Sequence, residues 1–156
     1  MLLQETIVTE DANRIACRLV YLLKRYTDEW IDQRLCCGQN LDFNTSHLPL
    51  FMSIGRDGIS NNKLAEKLNV TKQASSKVIK ELENAGLVQS DKSDTDARVL
   101  LIQLTPKGEK LYSHIKNQIL ELEEQYKKEV GAKNYELAID VMLKLIDFHE
   151  RQNRPD

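Results

Sequence analysis

Apolar residues recur along this chain at helical spacing in several separate stretches, and capping residues mark where each begins and ends. Ile15, Leu19, Leu22, Leu23, Tyr26 and Trp30 predict a first helix that Thr9 caps, with Glu10 and Asp11 in its opening turn, and that runs to about Leu35. Gly38 to Thr45 is a linker, and a second, short helix starts near Ser46 with Pro49 tolerated in its first turn. Arg56-Asp57-Gly58 closes it. Ser60 then caps a third helix whose inward residues are Leu64, Ala65 and Leu68, and Asn69 turns the chain. Thr71 caps a fourth helix with Ala74, Val78 and Leu82 facing inward, and Gly86 stops it. There the period changes. Leu87-Val88-Gln89 and Arg98 to Leu104 read as two strands around a polar turn, with Leu100, Ile102 and Leu104 on one face. Thr105 and Pro106 open a long helix through about Glu129, Gly131 breaks it, and a last helix covers about Asn134 to Arg151.

Helix, tight turn, helix and hairpin in this order make a winged helix-turn-helix. The fold class expected is mainly α with a small two-stranded antiparallel β-wing, flanked by terminal dimerisation helices. Ser75 stands where such a turn motif more often carries a branched apolar residue; it is expected to be half-buried with a local hydrogen bond. The terminal helices are apolar on more than one side, through Ile15, Leu19, Leu22 and Leu23 at one end and Leu137, Ile139, Val141, Met142, Leu145, Ile146 and Phe148 at the other. A small winged domain offers too little surface to cover them, so the expectation is an obligate homodimer.

The chain has 156 residues, 41% apolar and 29% charged, with a formal net charge of −2, which fits one globular domain. Overall charge gives no sign of a nucleic-acid partner, but its distribution does. Between Ser60 and Lys80, Lys63, Lys67, Lys72, Lys77 and Lys80 against Glu66 give a local charge of +4, leaving −6 elsewhere. A basic stripe on an otherwise acidic protein is what a duplex-binding face needs. The first turns of the fourth helix carry Lys72, Gln73, Ser76 and Lys77, of which Gln73 suits adenine and Lys77 guanine, while Thr71 and Lys80 suit phosphates.

Other chemistry is excluded by spacing. The longest uncharged run, Phe43 to Gly55, is too short and too polar to span a membrane. Glu5 stands where a signal peptide would need positive charge, so the expected location is the cytoplasm, in keeping with three cysteines (Cys17, Cys36, Cys37) that form no disulfide framework. No metal or cofactor is expected, and no nucleophile with a positioned base suggests an enzyme. The loop from Ser90 to Asp96 alternates like a calcium loop, but Asp96 occupies the glycine position and Ile102 the glutamate position, so it is a polar turn.

Asn61 to Leu68 and Glu81 to Val88 together resemble the MarR family of bacterial transcription regulators. The more specific match is Asp96-Ala97-Arg98 followed by Leu104-Thr105-Pro106-Lys107-Gly108, similar to that family's D-x-R wing and the L-T-x-x-G that opens its next helix. The resemblance implies a single domain over 1–156, with a DNA-binding part over about 46–110 and a helical dimerisation part over about 9–36 and 111–152. It further implies a homodimer on a palindromic double-stranded operator, usually repressing and often released by an effector. Asp96 would then orient Arg98 into a narrow minor groove.

The effector reading stays open. A planar, anionic aromatic ligand could be held by Arg18, Tyr21, His47, Phe51 and Tyr112, although aromatics at helical spacing such as Tyr21, Tyr26, Trp30, Phe51 and Tyr112 are more often plain core. Redox sensing through Cys36 and Cys37 is disfavoured by the strain of a disulfide between neighbours. Zinc sensing through His47, His114 and Glu29 lacks a second histidine one turn from His114. A winged-helix protein-interaction module is the remaining alternative, and it would not need Lys72, Lys77, Lys80 and Arg98 together.

Overall fold

The computed structural model describes residues 14–36, 43–92 and 99–152. Helix α1 (Ala16–Cys36) is followed by a 3₁₀ turn (Thr45–His47), α2 (Leu48–Ile54), strand β1 (Ile59–Ser60), α3 (Asn61–Lys67) and α4 (Lys72–Asn84). Strands β2 (Val88–Lys92) and β3 (Leu100–Leu104) come next, then α5 (Pro106–Val130) and α6 (Ala132–Gln152). The chain divides into two compact units, one ending at Tyr112 and the other starting at Ser113. The expected cap of the first helix at Thr9 lies outside the described residues.

In the first unit, local side-chain chemistry places most helix ends. Ser60 Oγ accepts from Lys63 N at 3.4 Å and Thr71 Oγ1 from Ala74 N at 3.1 Å, so each caps its helix as expected. Near Ser46 the outcome differs. Asn44 Oδ1 accepts from Ser46 N at 2.9 Å and starts the 3₁₀ turn, and α2 itself begins only at Leu48 with Pro49 beside its start.

The ends of α3 and α4 share one geometry. Asn69 N donates to Glu66 O at 3.0 Å and Val70 N to Ala65 O at 3.0 Å; Gly86 N and Leu87 N repeat the pattern on Glu83 O and Leu82 O, both at 2.9 Å. This double bond needs a left-handed residue after the cap. Gly86 supplies it at φ +70°, and Asn69 takes φ +51°, which asparagine tolerates better than most residues.

The wing is larger than the two strands expected. Ile59–Ser60 adds a third strand, giving the antiparallel order β1-β3-β2 with Ile59 opposite Ile102 and Val88 opposite Leu104. Two residues show no periodicity, so the sequence pattern could not reveal this strand. Ile102 and Leu104 face the core, but Leu100, expected with them, is 53% exposed at the strand's outer end. Phe51, Leu64, Leu82, Leu87 and Ile102 are almost fully buried, each contributing about 1.5–3 kcal/mol relative to exposure.

The second unit contains the rest of α5 and all of α6. Gly131, at φ +83°, separates them, and α6 starts at Ala132, slightly earlier than expected. Lys127 Nζ stands 5.4 Å over the Tyr135 ring, and burial pushes the Tyr135 phenol above its ordinary pKa. Ile115 and Leu122 of α5 are buried, whereas α6 has no buried residue along its 21 positions.

Candidate nucleic-acid interface

Helix α4 presents Lys72, Gln73, Ser76, Lys77 and Lys80 along one continuous open surface, with Thr71 exposed at its cap. The helix can offer this face because its buried stripe lies opposite, through Ser75, Ile79 and Leu82. The stripe is turned from the one expected. Ala74 is exposed and Val78 half-buried; both line a cleft of about 240 Å³ with Pro49, Leu50 and Val70. Ser75 is fully buried rather than half-buried, and its partner is on another helix.

Side chains at three points along it, none legible in the sequence, hold α4 in place. Ser75 Oγ donates to Asn61 Oδ1 at 2.7 Å, and Asn61 Nδ2 donates to Ser76 Oγ at 2.7 Å, tying α3 to α4. His47 Nε2 lies 2.9 Å from Glu81 Oε2, tying the start of α2 to the middle of α4. At the far end Lys107 Nζ donates to Ala85 O at 2.8 Å and Thr105 Oγ1 to Gly86 O at 2.7 Å, so the opening of α5 satisfies carbonyls that α4 leaves unpaired. Gly108 permits this approach: a Cβ there would fall 1.9 Å from Leu87 O. The L-T-x-x-G segment is therefore a joint between α4 and α5, with Thr105 also accepting from Gly108 N at 3.0 Å.

Asp96 and Arg98, expected in the wing, lie outside the described residues, as does Cys37. Of the effector candidates, Phe51 and Tyr112 meet edge to face at 6.3 Å, and Phe51 meets Phe43 at 5.5 Å. Tyr21 is 65% exposed and Arg18 also occupies an exposed position on α1, while His47 is engaged with Glu81. Glu29 pairs with Arg25 at 2.9 Å, which raises the Arg25 pKa through that hydrogen bond and charge. Among the described residues no three His, Cys, Asp or Glu side chains gather to hold a metal ion, and no helix is long and apolar enough to cross a membrane.

The model of the MarR family matches residues 55–100, from just after α2 to the first residue of β3. Transcriptional regulator AdcR of Streptococcus pneumoniae is 32% identical over 69 residues, 44% of this chain and 47% of AdcR, so the match spans about half of that regulator. A MarR protein from Peptoclostridium difficile superposes with a TM-score of 0.77 at 22% identity, covering 97% of this chain and 94% of that one. The Streptococcus pneumoniae FabT structure, solved in complex with DNA, gives 0.71 at 18% identity over 85% of this chain and 95% of its own. At these identities the two structures establish the winged-helix fold.

Proposed function

We propose that this chain is a MarR-family transcriptional regulator that binds double-stranded DNA sequence-specifically and acts as a homodimer on a palindromic operator. The observation that carries the reading is the face of α4. Five polar or basic side chains, Lys72, Gln73, Ser76, Lys77 and Lys80, stand exposed together on the second helix of a helix-turn-helix. A recognition helix needs such a face, with its N-terminal residues at base edges and its lysines on phosphates. FabT, a structural neighbour, was solved bound to DNA, which supports the same use of this fold.

In this reading Gln73 and Lys77 contact bases, Ser76 donates to the groove, and Thr71, Lys72 and Lys80 hold the backbone. Arg98, oriented by Asp96, would contact the flanking minor groove. Two protomers are joined by their terminal helices: Leu19, Leu23 and Tyr26 on α1 and Leu137, Leu143, Leu145 and Ile146 on α6 are exposed in one chain. A helix with this much uncovered apolar surface is stable in water once a second copy covers it. A planar anionic effector held near Arg18, Tyr21, His47, Phe51 and Tyr112 would alter the operator-competent state, which makes the regulator a repressor that its ligand releases.

Selection of bound fragments from random duplex DNA tests the proposal. The expected product is a palindrome whose half-sites are centred about 10 base pairs apart. Recovery of no enriched sequence from repeated rounds would overturn it.

A further inference from the structure

Ser75 is the only buried polar side chain among the described residues, and what it binds gives the recognition helix a further determinant. A hydroxyl with no access to water has to find its partner inside the protein. Ser75 finds Asn61 Oδ1, 2.7 Å away on the first residue of α3. The same carboxamide uses its other end on the next residue of α4, donating through Nδ2 to Ser76 Oγ at 2.7 Å.

Consecutive helical residues point about 100° apart, so Ser75 faces the core while Ser76 faces outward. One planar amide that grips both is sensitive to rotation of α4 about its axis. A turn of about 10° at a Cα radius of about 2.3 Å shifts each anchor by about 0.4 Å, in directions a rigid amide cannot follow together. Asn61 is itself held, since the Ser60 cap fixes the start of α3.

The bridge also has a polarity. A serine hydroxyl carries one donor and two acceptor lone pairs. In the structure Ser75 points its proton at Oδ1, and the amide turns its nitrogen to Ser76. Ser76 then receives an N–H from the protein side, and the hydrogen-bonding capacity it turns to solvent includes its O–H.

We propose that Asn61 is a positioning and specificity-determining residue, which fixes the rotation of α4 and makes Ser76 a hydrogen-bond donor toward an acceptor on the base edges of the major groove. Guanine N7 and O6, adenine N7 and thymine O4 are the edges that accept from it. This rests on the DNA-binding reading above.

The test uses the full chain and the operator selected with the wild-type protein. Asn61→Ala is expected to lower operator affinity about tenfold while random-duplex affinity stays within about twofold. Asn61→Asp reverses the polarity, because a carboxylate only accepts and draws the Ser76 proton inward. A fresh selection with that variant is expected to change the preferred base at one position per half-site, from an acceptor edge to a donor edge. Ser76→Ala, which removes the hydroxyl from the exposed face, is expected to erase preference at that same position. Thermal unfolding of each variant separates lost fold from lost reading. Equal losses on operator and random DNA for Asn61→Ala, or wild-type sequences selected by Asn61→Asp or Ser76→Ala, would overturn the inference. Failure of the wild-type protein to enrich any sequence would instead overturn the DNA-binding reading itself.

Discussion

Helices α4 and α6 are both amphipathic and both expose much of their length, yet they stand in opposite situations. α4 spends its apolar stripe inside its own unit, on Ile79 and Leu82 around Ser75, and side chains from the 3₁₀ turn, α3 and α5 anchor it. What it shows to water is basic and polar. α6 buries nothing: Leu137, Val141, Met142, Leu143, Leu145, Ile146 and Phe148 are each between 41% and 60% exposed. Exposed charge on an anchored helix is a finished surface that awaits a charged ligand. Exposed hydrocarbon on a long helix is an unfinished core, and burying it at about 25 cal/mol per Å² is the drive for a second chain to complete it. Under the proposed function, the first surface is the one that reads DNA and the second the one that pairs.

The pairing side should break hardest. Leu145→Glu with Ile146→Glu places two carboxylates where a partner would bury leucine and isoleucine, and the expected outcome in sedimentation is aggregation or an unfolded chain rather than a folded monomer. A well-folded monomer of the unaltered protein at micromolar concentration would show that α6 needs no partner. Next comes the joint behind α4. Gly108→Ala sets a methyl against Leu87 O and is expected to cost about 1–3 kcal/mol or more in chemical unfolding, because backbone rather than a flexible side chain is in the way.

The reading side should fail more selectively. Gln73→Ala is expected to weaken operator binding by about 1–3 kcal/mol and relax preference at one position per half-site, measured by competition titration. Lys80→Ala should weaken operator and random duplex alike and reduce the slope of log affinity against log salt by about 1 for each protomer. The smallest effect is expected from Thr71→Ala. It removes the bond to Ala74 N and should lower stability by about 1 kcal/mol, with a lesser loss in DNA affinity as the first turn frays.

The sequence was most legible where structure is decided within a few residues. Ser60, Thr71, Asn69 and Gly86 do what their chemistry dictates, because capping and left-handed turns need no distant partner. The pattern misled where a distant partner decides. α4 was expected to bury Ala74 and Val78, since hydrophobicity alone cannot place a serine in a core. Asn61 makes that placement possible by meeting the hydroxyl, and the buried stripe rotates to Ser75, Ile79 and Leu82. Strand β1 escaped notice because two residues carry no period, and its pairing is set by Ile102 and Leu101 more than forty positions later. Of the candidate interface, the side chains on α4 were readable from charge and position. The anchors at Asn61, Glu81 and Lys107 were not, because an asparagine, a glutamate and a lysine on helices have no distinguishing pattern until the helices cross.

The central claim is that two copies of α4, carried by a paired molecule, read two half-sites on one face of the duplex. Binding to the selected operator with five base pairs inserted between its half-sites tests this most directly, since half a helical turn moves one half-site to the opposite face. The account predicts that affinity falls to that of random duplex and returns in part when ten base pairs are inserted. Undiminished binding to the five-base-pair insertion would contradict it.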